Sequence, residues 1–306
     1  MKILVTGGAG FIGSNIVDTY IELGHDVLII DNLSSGKKEN INPKAKFFKA
    51  DIRNAHAIKT IFAKEKPDIL NHHAAQINLR KSISDPVFDA DVNIVGLLNL
   101  LEAGIKNNLK KVIFASSGGA IYGEAKILPT PENYEPKQPL SPYGITKMMS
   151  EYYLNYYFNN YGLHFAILRY SNVYGPRQDP FGEGGVVAIF TQKLLKQKKP
   201  VINGDGKQTR DFVYVKDVVE ANVLALNKNV NTAINIATGV ETSVNKLCNL
   251  LSNKTNTFFS EIHGSSKLGD QQKSVLDIAS ARKILGWRPR TSLNKGLNQT
   301  INFFRI

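Results

Sequence analysis

The 306-residue chain has little sulfur: one cysteine and three methionines. Cys248 has no second thiol, so no intramolecular disulfide can staple the fold. Its place in the helical pattern "VNKLCNLL" suits a small buried apolar residue. Also missing is any run of eighteen apolar residues, and with it a membrane-spanning helix of the usual kind. The opening "MKILVTGGAGFIGS" is too short in its apolar part and too broken by glycine for a signal peptide. These absences predict a cytoplasmic protein with no membrane contact. The six histidines fall at no metal-ligand spacing, and "NHH" at 71–73 reads as a strand end, so no metal is expected.

Acidic residues are also scarce, with 26 Asp and Glu against 38 Lys and Arg and a net charge of +12. Such an excess can mark a polyanionic partner. Here the lysines are dispersed, and the denser pairs at 37–38, 110–111 and 198–199 fall in loops or at element ends. No nucleic-acid partner is expected. A nucleotide diphosphate is a small polyanion that fits the same excess.

What is present is an alternation. "KILVT" (2–6), "DVLII" (26–30), "AKFFKA" (45–50), "DILNH" (68–72) and "KKVIFAS" (110–116) are nearly continuous apolar runs of strand length. Such runs suit strands covered on both faces, as in a parallel sheet. Amphipathic stretches near 12–23, 55–65 and 85–107 lie between them, and a helix at 143–161 and a strand at 164–170 extend the series. The pattern predicts an α/β fold: a doubly wound parallel sheet over 1–170, with a smaller mixed α/β domain over 171–306. Strands at 211–215 and 232–237 are candidates to return to the first sheet.

Two short stretches carry chemistry. The first strand runs into "TGGAGFIGS", with Gly7, Gly10 and Gly13 between strand and helix. The glycines allow a tight turn, close approach of a pyrophosphate, and close helix–strand packing, while the helix start offers free N–H groups. Asp31 ends the second strand, where its carboxylate would accept from an adenosine ribose and repel a 2′-phosphate, favouring NAD over NADP. In "SPYGITK" (141–147), Tyr143 and Lys147 stand one helical turn apart on one face, so a phenol and an ammonium can share one pocket.

These stretches, with "DNLSSG" (31–36), "ADIRN" (50–54), "HHAAQ" (72–76), "DVNIVGLLNLLEA" (91–103), "SSGGAIYGE" (116–124), "LRYSNVYGPRQ" (168–178) and "GDGKQTRDFVYVKD" (204–217), resemble the extended short-chain dehydrogenase/reductases. The resemblance covers nearly the whole chain in order, and within that family it is greatest to the UDP-glucose 4-epimerases. It implies a Rossmann domain holding NAD and a second domain holding a UDP-sugar. It assigns catalysis to Ser117, Tyr143 and Lys147, with Tyr143 as acid/base and its ionisation eased by Lys147. For the cofactor it implies Gly7, Gly10, Phe11, Ile12, Gly13, Asp31, Asn32, Ser35, Gly36, Asp51, Ile52, His73, Ala74, Ala75, Gln76 and Asn93, besides Tyr143 and Lys147. For the substrate it implies Ser117, Tyr143, Asn172, Val187, Arg210, Asp270 and Ser274. Lys267 stands where relatives usually carry arginine, which keeps the charge and loses the bidentate fork. Gly118 and Gly119 stand where dehydratases of this scaffold carry an acid pair, which disfavours dehydration. A uronic-acid 4-epimerase or another sugar-nucleotide-modifying member of the family, and a non-catalytic NAD-sensing or RNA-binding protein on the same scaffold, remain the alternatives. The helix from Tyr143, apolar around most of its circumference, implies burial on two sides and a two-fold homodimer made with the 85–107 helix.

Overall fold

The computed structural model describes residues 1–181, 185–258, 262–266 and 271–305. In chain order the first elements are β1 (Lys2–Thr6), α1 (Phe11–Glu22), β2 (Asp26–Asp31), β3 (Lys46–Lys49), α2 (Ala55–Glu65) and β4 (Ile69–His72). Two short helices follow, α3 (Leu79–Ser84) and α4 (Pro86–Ala90), then a wide π turn at Asp91–Val95, α5 (Gly96–Lys106) and β5 (Lys111–Ser117). Next come α6 (Gly118–Ile121), α7 (Pro142–Tyr161), β6 (His164–Tyr170), β7 (Asn172–Tyr174), α8 (Val186–Leu195) and β8 (Val201–Asn203). The last are β9 (Thr209–Tyr214), α9 (Val215–Leu226), β10 (Ala233–Ile236), β11 (Glu241–Ser243), α10 (Val244–Thr255), β12 (Ile262–Gly264) and α11 (Leu293–Phe304).

Seven strands form one sheet in the order β10-β6-β5-β4-β1-β2-β3, and the β3-β2-β1-β4-β5 pairings all run parallel. The order reverses at β1, where a doubly wound sheet opens its ligand crevice beyond the strand ends. The apolar runs of the strands are buried: Ile3, Leu4, Val5, Leu28, Ile29, Ile30 and Leu70 are shielded from water. Leu97, Leu100 and Leu101 of α5 and Leu154 of α7 pack into the same core. Burying each such side chain stabilises the fold by about 1.5–3 kcal/mol.

The chain divides into two compact units, one of Met1–Ser117, Ser141–Arg169 and Val219–Ile234, the other of Gly118–Leu140, Tyr170–Val218 and Asn235–Ile306. The division is more interleaved than a single boundary at 170. Of the two strands expected to return, β10 does so and takes the sheet edge beside β6. β9 instead sits in a separate sheet ordered β11-β9-β7. Its apolar run reads the same either way, because both locations bury it.

Local signals explain the ends of α7. Ser141 caps it by accepting from Gly144 N, Pro142 occupies its first turn, and Gly162 closes it in the left-handed region at φ 69°. Leu154 and Tyr157 face the core, while Tyr152, Tyr156 and Tyr161 are each more than half exposed. Among the described residues no helix is long and apolar enough to cross a membrane.

Candidate active site

Three elements of the first unit build the glycine loop. Gly7 sits at φ 70°, and a Cβ there would lie 2.7 Å from Ala74 N, so the loop after β1 closes tightly on the end of β4. A Cβ at Gly13 would lie 2.2 Å from Gly7 O, which fixes how near α1 comes to that loop. Gly10 is different: it ends the loop as the cap of α1, no side chain caps the helix there, and no acid occupies the first turn. The first-turn N–H groups, including those of Phe11 and Ile12, can therefore hold an anion.

Asp31 braces this loop. Its Oδ2 accepts from Ala9 N at 3.0 Å and its Oδ1 from Leu33 N at 2.8 Å, and a Cβ on Gly36 would strike the carboxylate at 2.8 Å. Asn32 donates to Asp51 at 3.0 Å, and Ser35 is exposed beside it. Arg53 grips Asp51 through Nε (3.0 Å) and Nη2 (2.9 Å), and these bonds hold the Asp51 carboxyl down at about 2. The Ile52 side chain is buried in the core against Gly96, so only its backbone remains for a ligand.

The residues after β4 divide by what occupies their side chains. Ala74 N donates to Thr6 Oγ1 at 3.2 Å, and Thr6 Oγ1 shares a 2.6 Å hydrogen bond with His72 Nδ1. Burial, with the Lys147 charge nearby, holds His73 at about 3 and His72 well below its ordinary value. Ala75 lies partly exposed between them and Gln76. The Gln76 side chain is committed internally, donating to Asn78 O and Asp89 Oδ1 and accepting from Asn78 N. Asn93, in the π turn, clamps the Gln76 backbone from both ends: its Oδ1 accepts from Gln76 N at 2.9 Å and its Nδ2 donates to Gln76 O at 3.0 Å.

The structure brings Ser117, Tyr143 and Lys147 together. The Tyr143 phenol hydrogen-bonds Ser117, and Tyr143 N donates to Ser82 Oγ at 2.7 Å. Lys147 Nζ lies 5.9 Å from the Tyr143 ring centre and 4.7 Å from that of Phe114, and it donates to Ala115 O at 2.8 Å. Burial lowers the Lys147 ammonium to about 8. The expected lowering of the phenol is reversed in the protein alone. Burial raises Tyr143 to about 12, outweighing the Ser117 hydrogen bond, and the Asp89 charge adds to the rise. Desolvation of the anion beats the neighbouring cation, whose Nζ is turned to a carbonyl.

The glycine loop, the clamped turn after β4 and the Ser–Tyr–Lys cluster are the parts of a dinucleotide-dependent catalyst. A model of the NAD dependent epimerase/dehydratase family matches residues 3–237. The chain belongs to the NAD-dependent epimerase/dehydratase family. It is similar to the UDP-glucose 4-epimerase of Thermotoga maritima, solved with UDP-glucose, at 50% identity over 100% of this chain and 99% of that one, with a TM-score of 0.98. It is similar to the UDP-glucose 4-epimerase of Thermus thermophilus, solved with NAD, at 40% identity over 100% and 99% of the two chains and a TM-score of 0.95. A third likeness is to the UDP-N-acetylglucosamine 4-epimerase of Methanobrevibacter ruminantium in complex with UDP-N-acetylmuramic acid, at 37% identity, 99% and 98% coverage and a TM-score of 0.93.

NAD, the cofactor of the family, fits the residues present: an uncapped α1 and a glycine loop in which a Cβ would lie 2.7 Å from Ala74 N at Gly7, 3.2 Å from Gly7 O at Gly10 and 2.2 Å from Gly7 O at Gly13, so that no side chain stands between a ligand and the backbone. Among the described residues no group of three or more His, Cys, Asp or Glu side chains is placed to hold a metal ion.

The second unit carries the remaining family positions. Asn172 begins β7, Val187 is buried on α8, and Arg210 lies on β9 with Nη1 donating to Thr209 O at 2.8 Å. Ser274 is buried on a segment that runs beside β9: Thr209 N donates to Gln272 O at 2.9 Å. Arg177 adopts a left-handed φ of 72°. Asp270 and Lys267 lie outside the described residues.

Sequence reading missed the side chains behind these positions. Ser82 anchors the Tyr143 backbone, Asp89 and Thr146 join Asn93 below it, and Glu151 pairs with Arg169. The spacing Asp89…Asn93 and Lys147…Glu151, one helical turn each, is a signal that could have found two of them.

Proposed function

We propose that the chain is a 4-epimerase that interconverts UDP-glucose and UDP-galactose with bound NAD. The observation that carries this is the clustering of Ser117, Tyr143 and Lys147 in the unit that bears the uncapped α1. Tyr143 Oη, as the phenolate, takes the proton of the sugar 4-hydroxyl and, as the phenol so formed, later returns it, and Ser117 Oγ holds the sugar oxygen during both transfers. NAD, held at the glycine loop of Gly7, Gly10 and Gly13, would supply the two-electron acceptor for the C4 hydride. Lys147 Nζ, fixed by Ala115 O, places a positive charge 5.9 Å from the Tyr143 ring centre, which acts against the burial that raises the phenol. Arg210 and Asn172 hold the diphosphate, which lets the 4-keto sugar turn without being released.

Gly118 supports this reading over dehydration. Neither Gly118 nor Gly119 offers a proton donor, and a Cβ at Gly118 would lie 2.4 Å from Leu276 Cδ1, so an acid there would require that side chain to shift. Incubation with UDP-galactose should yield UDP-glucose. Tyr143→Phe should bind NAD and sugar nucleotide nearly normally and lose kcat by about 10²–10⁴-fold, the usual worth of positioned proton transfer. A variant keeping more than about a tenth of kcat would remove Tyr143 from the mechanism.

Two finer proposals accompany this. Ser274 is small, so the pocket beside the sugar 2-substituent admits an N-acetyl group as well as a hydroxyl. Ser274→Tyr should abolish turnover of the N-acetylated sugar and spare UDP-galactose; equal treatment of both by the variant refutes the idea. The exposed Tyr152, Tyr156 and Val95 form the contact of a two-fold homodimer. Light scattering at micromolar concentration should return twice the chain mass, and a monomeric mass refutes it.

A further inference from the structure

Beneath Tyr143 lies a carboxylate for which the mechanism above has no use. Asp89, on α4, is fully shielded from solvent. Its Oδ2 accepts from Thr146 Oγ1 at 2.8 Å and Asn93 Nδ2 at 3.2 Å, and its Oδ1 accepts from Gln76 Nε2 at 2.9 Å. All three donors are neutral.

Glu151, the other buried carboxylate near Lys147, is held differently. Arg169 grips both its oxygens, Nε at 3.0 Å and Nη2 at 2.6 Å, and Ser116 Oγ adds a bond of 2.6 Å. The Glu151 charge is therefore cancelled at contact by a guanidinium. Lys147 donates to a carbonyl and lies over an aromatic ring, and its charge is opposed by Asp89 and Glu151 from a distance. Of these two acids, only Asp89 is not already matched by a cation in contact.

We propose that Asp89 is a positioning residue for the proton transfer: its buried negative charge offsets that of Lys147, so that the charge on the bound nicotinamide ring decides whether the Tyr143 phenol holds its proton. The proposal rests on Tyr143 being the acid/base. An acid/base that takes a proton in one half of a reaction and returns it in the other must bind it weakly first and firmly later. Lys147 alone would favour the phenolate in both halves. A balanced Lys147–Asp89 pair leaves the ring as the variable charge. The same residue fixes geometry, because Thr146 lies on the turn of α7 that begins with Tyr143.

The charged and titratable groups around the phenol are few. Lys147 and Glu151 lie on its own helix, Arg169 on β6, and His72 and His73 at the end of β4. Arg80 and Lys81 of α3 are exposed, Lys81 pairing with Asp85. Asp91 of the π turn pairs with Arg53, and Glu102 of α5 bonds Tyr157 at the far end of α7. Asp89 is the acid that bears on Tyr143, adding to the rise that burial produces there against the Ser117 bond.

The test is an ultraviolet titration of the Tyr143 phenol in the full chain, taken as the difference between each protein and its Tyr143→Phe counterpart. Asp89→Asn should move the midpoint at least about one unit to lower pH, and shift the kcat profile the same way with KM changed less than about threefold. Asp89→Glu should restore the wild-type midpoint. Thr146→Val, which removes a hydrogen bond and keeps the charge, should lower kcat without moving the midpoint. Coincident midpoints for wild type and Asp89→Asn overturn the proposal, as does an equal shift in Thr146→Val. Wild-type protein guards against a variant that fails to fold. Its midpoint with NAD⁺ should lie more than about one unit below that with NADH, and equal midpoints overturn the proposal. An active Tyr143→Phe defeats the assignment of Tyr143 itself; an inactive one with unshifted Asp89→Asn defeats only the role of Asp89.

Discussion

The glycine loop before α1 and the polar layer under the start of α7 lie in the same unit and are built on opposite plans. The loop is backbone: what matters at Gly7, Gly10 and Gly13 is the absence of atoms. The layer is side chains: Asp89, Asn93, Thr146, Ser116, Glu151 and Arg169 are buried polar groups that satisfy one another. The first tolerates no addition and the second no loss. Backbone sites announce themselves as glycine spacing, whereas side-chain layers are assembled from distant segments.

The largest break should come in the layer. Glu151→Gln leaves the Arg169 guanidinium buried without its anion, which should cost about 3–5 kcal/mol of stability in denaturant unfolding. The double variant Glu151→Leu/Arg169→Met, which removes both charges, should recover most of that. A single variant within about 1 kcal/mol of wild type would show that the pair is not the anchor of α7 to β6.

The loop comes next. Gly7→Ala adds a methyl 2.7 Å from Ala74 N at φ 70°. Left-handed strain of about 1 kcal/mol and overpacking of about 1–3 kcal/mol should appear as a lower Tm and weaker NAD binding by calorimetry. Gly162 supplies the control, since it has the same left-handed φ at 69° with nothing within 4 Å of an added Cβ. Gly162→Ala should therefore show the strain alone, about 1 kcal/mol, with unchanged NAD affinity. Equal losses in the two variants would make conformation, not contact, the reason for Gly7.

A third effect depends on pH. Burial keeps His72 neutral well below its ordinary value of 6.5. Its contribution is fully present above pH 6.5 and is lost as pH falls below that, because the unfolded chain then binds a proton that the folded chain refuses. The slope is about 1.4 kcal/mol per pH unit for one such group. His72→Gln should flatten the stability profile below pH 6.5, the ordinary histidine value, by up to that amount. An unchanged slope would mean that His72 is not the titrating group.

Much of the first unit was legible because each strand is a nearly unbroken apolar run bounded by turn residues. β1, β4, β5 and β6 fall within about a residue of their expected places. The single helix expected over 85–107 is interrupted, since Asn93 turns its side chain to the Gln76 backbone and the chain widens into a π turn there. Tyr143 and Lys147 were legible as a pair one helical turn apart. Their electrostatics were not: burial is a property of the assembled unit, and it reversed the expected direction at the phenol. The Glu151–Arg169 pair escaped for a similar reason, as its members stand eighteen positions apart, with helix, turn and strand between them.

The return of β10 to the sheet edge has a consequence for synthesis. Backbone bonds from Ile167 to Thr232 and from Asn231 to Phe165 seat this segment beside β6, and the buried Lys111 ammonium is satisfied by the carbonyls of Ala225, Leu226 and Lys228. A ribosome adding roughly 5–20 residues per second needs several seconds more to pass from β6 to β10. Throughout that interval β6 is an unpaired edge and Lys111 a charge awaiting its carbonyls, the state in which a nascent sheet is open to pairing with the wrong strand. The nascent chain is thus most in need of a chaperone between the completion of β6 and the arrival of β10.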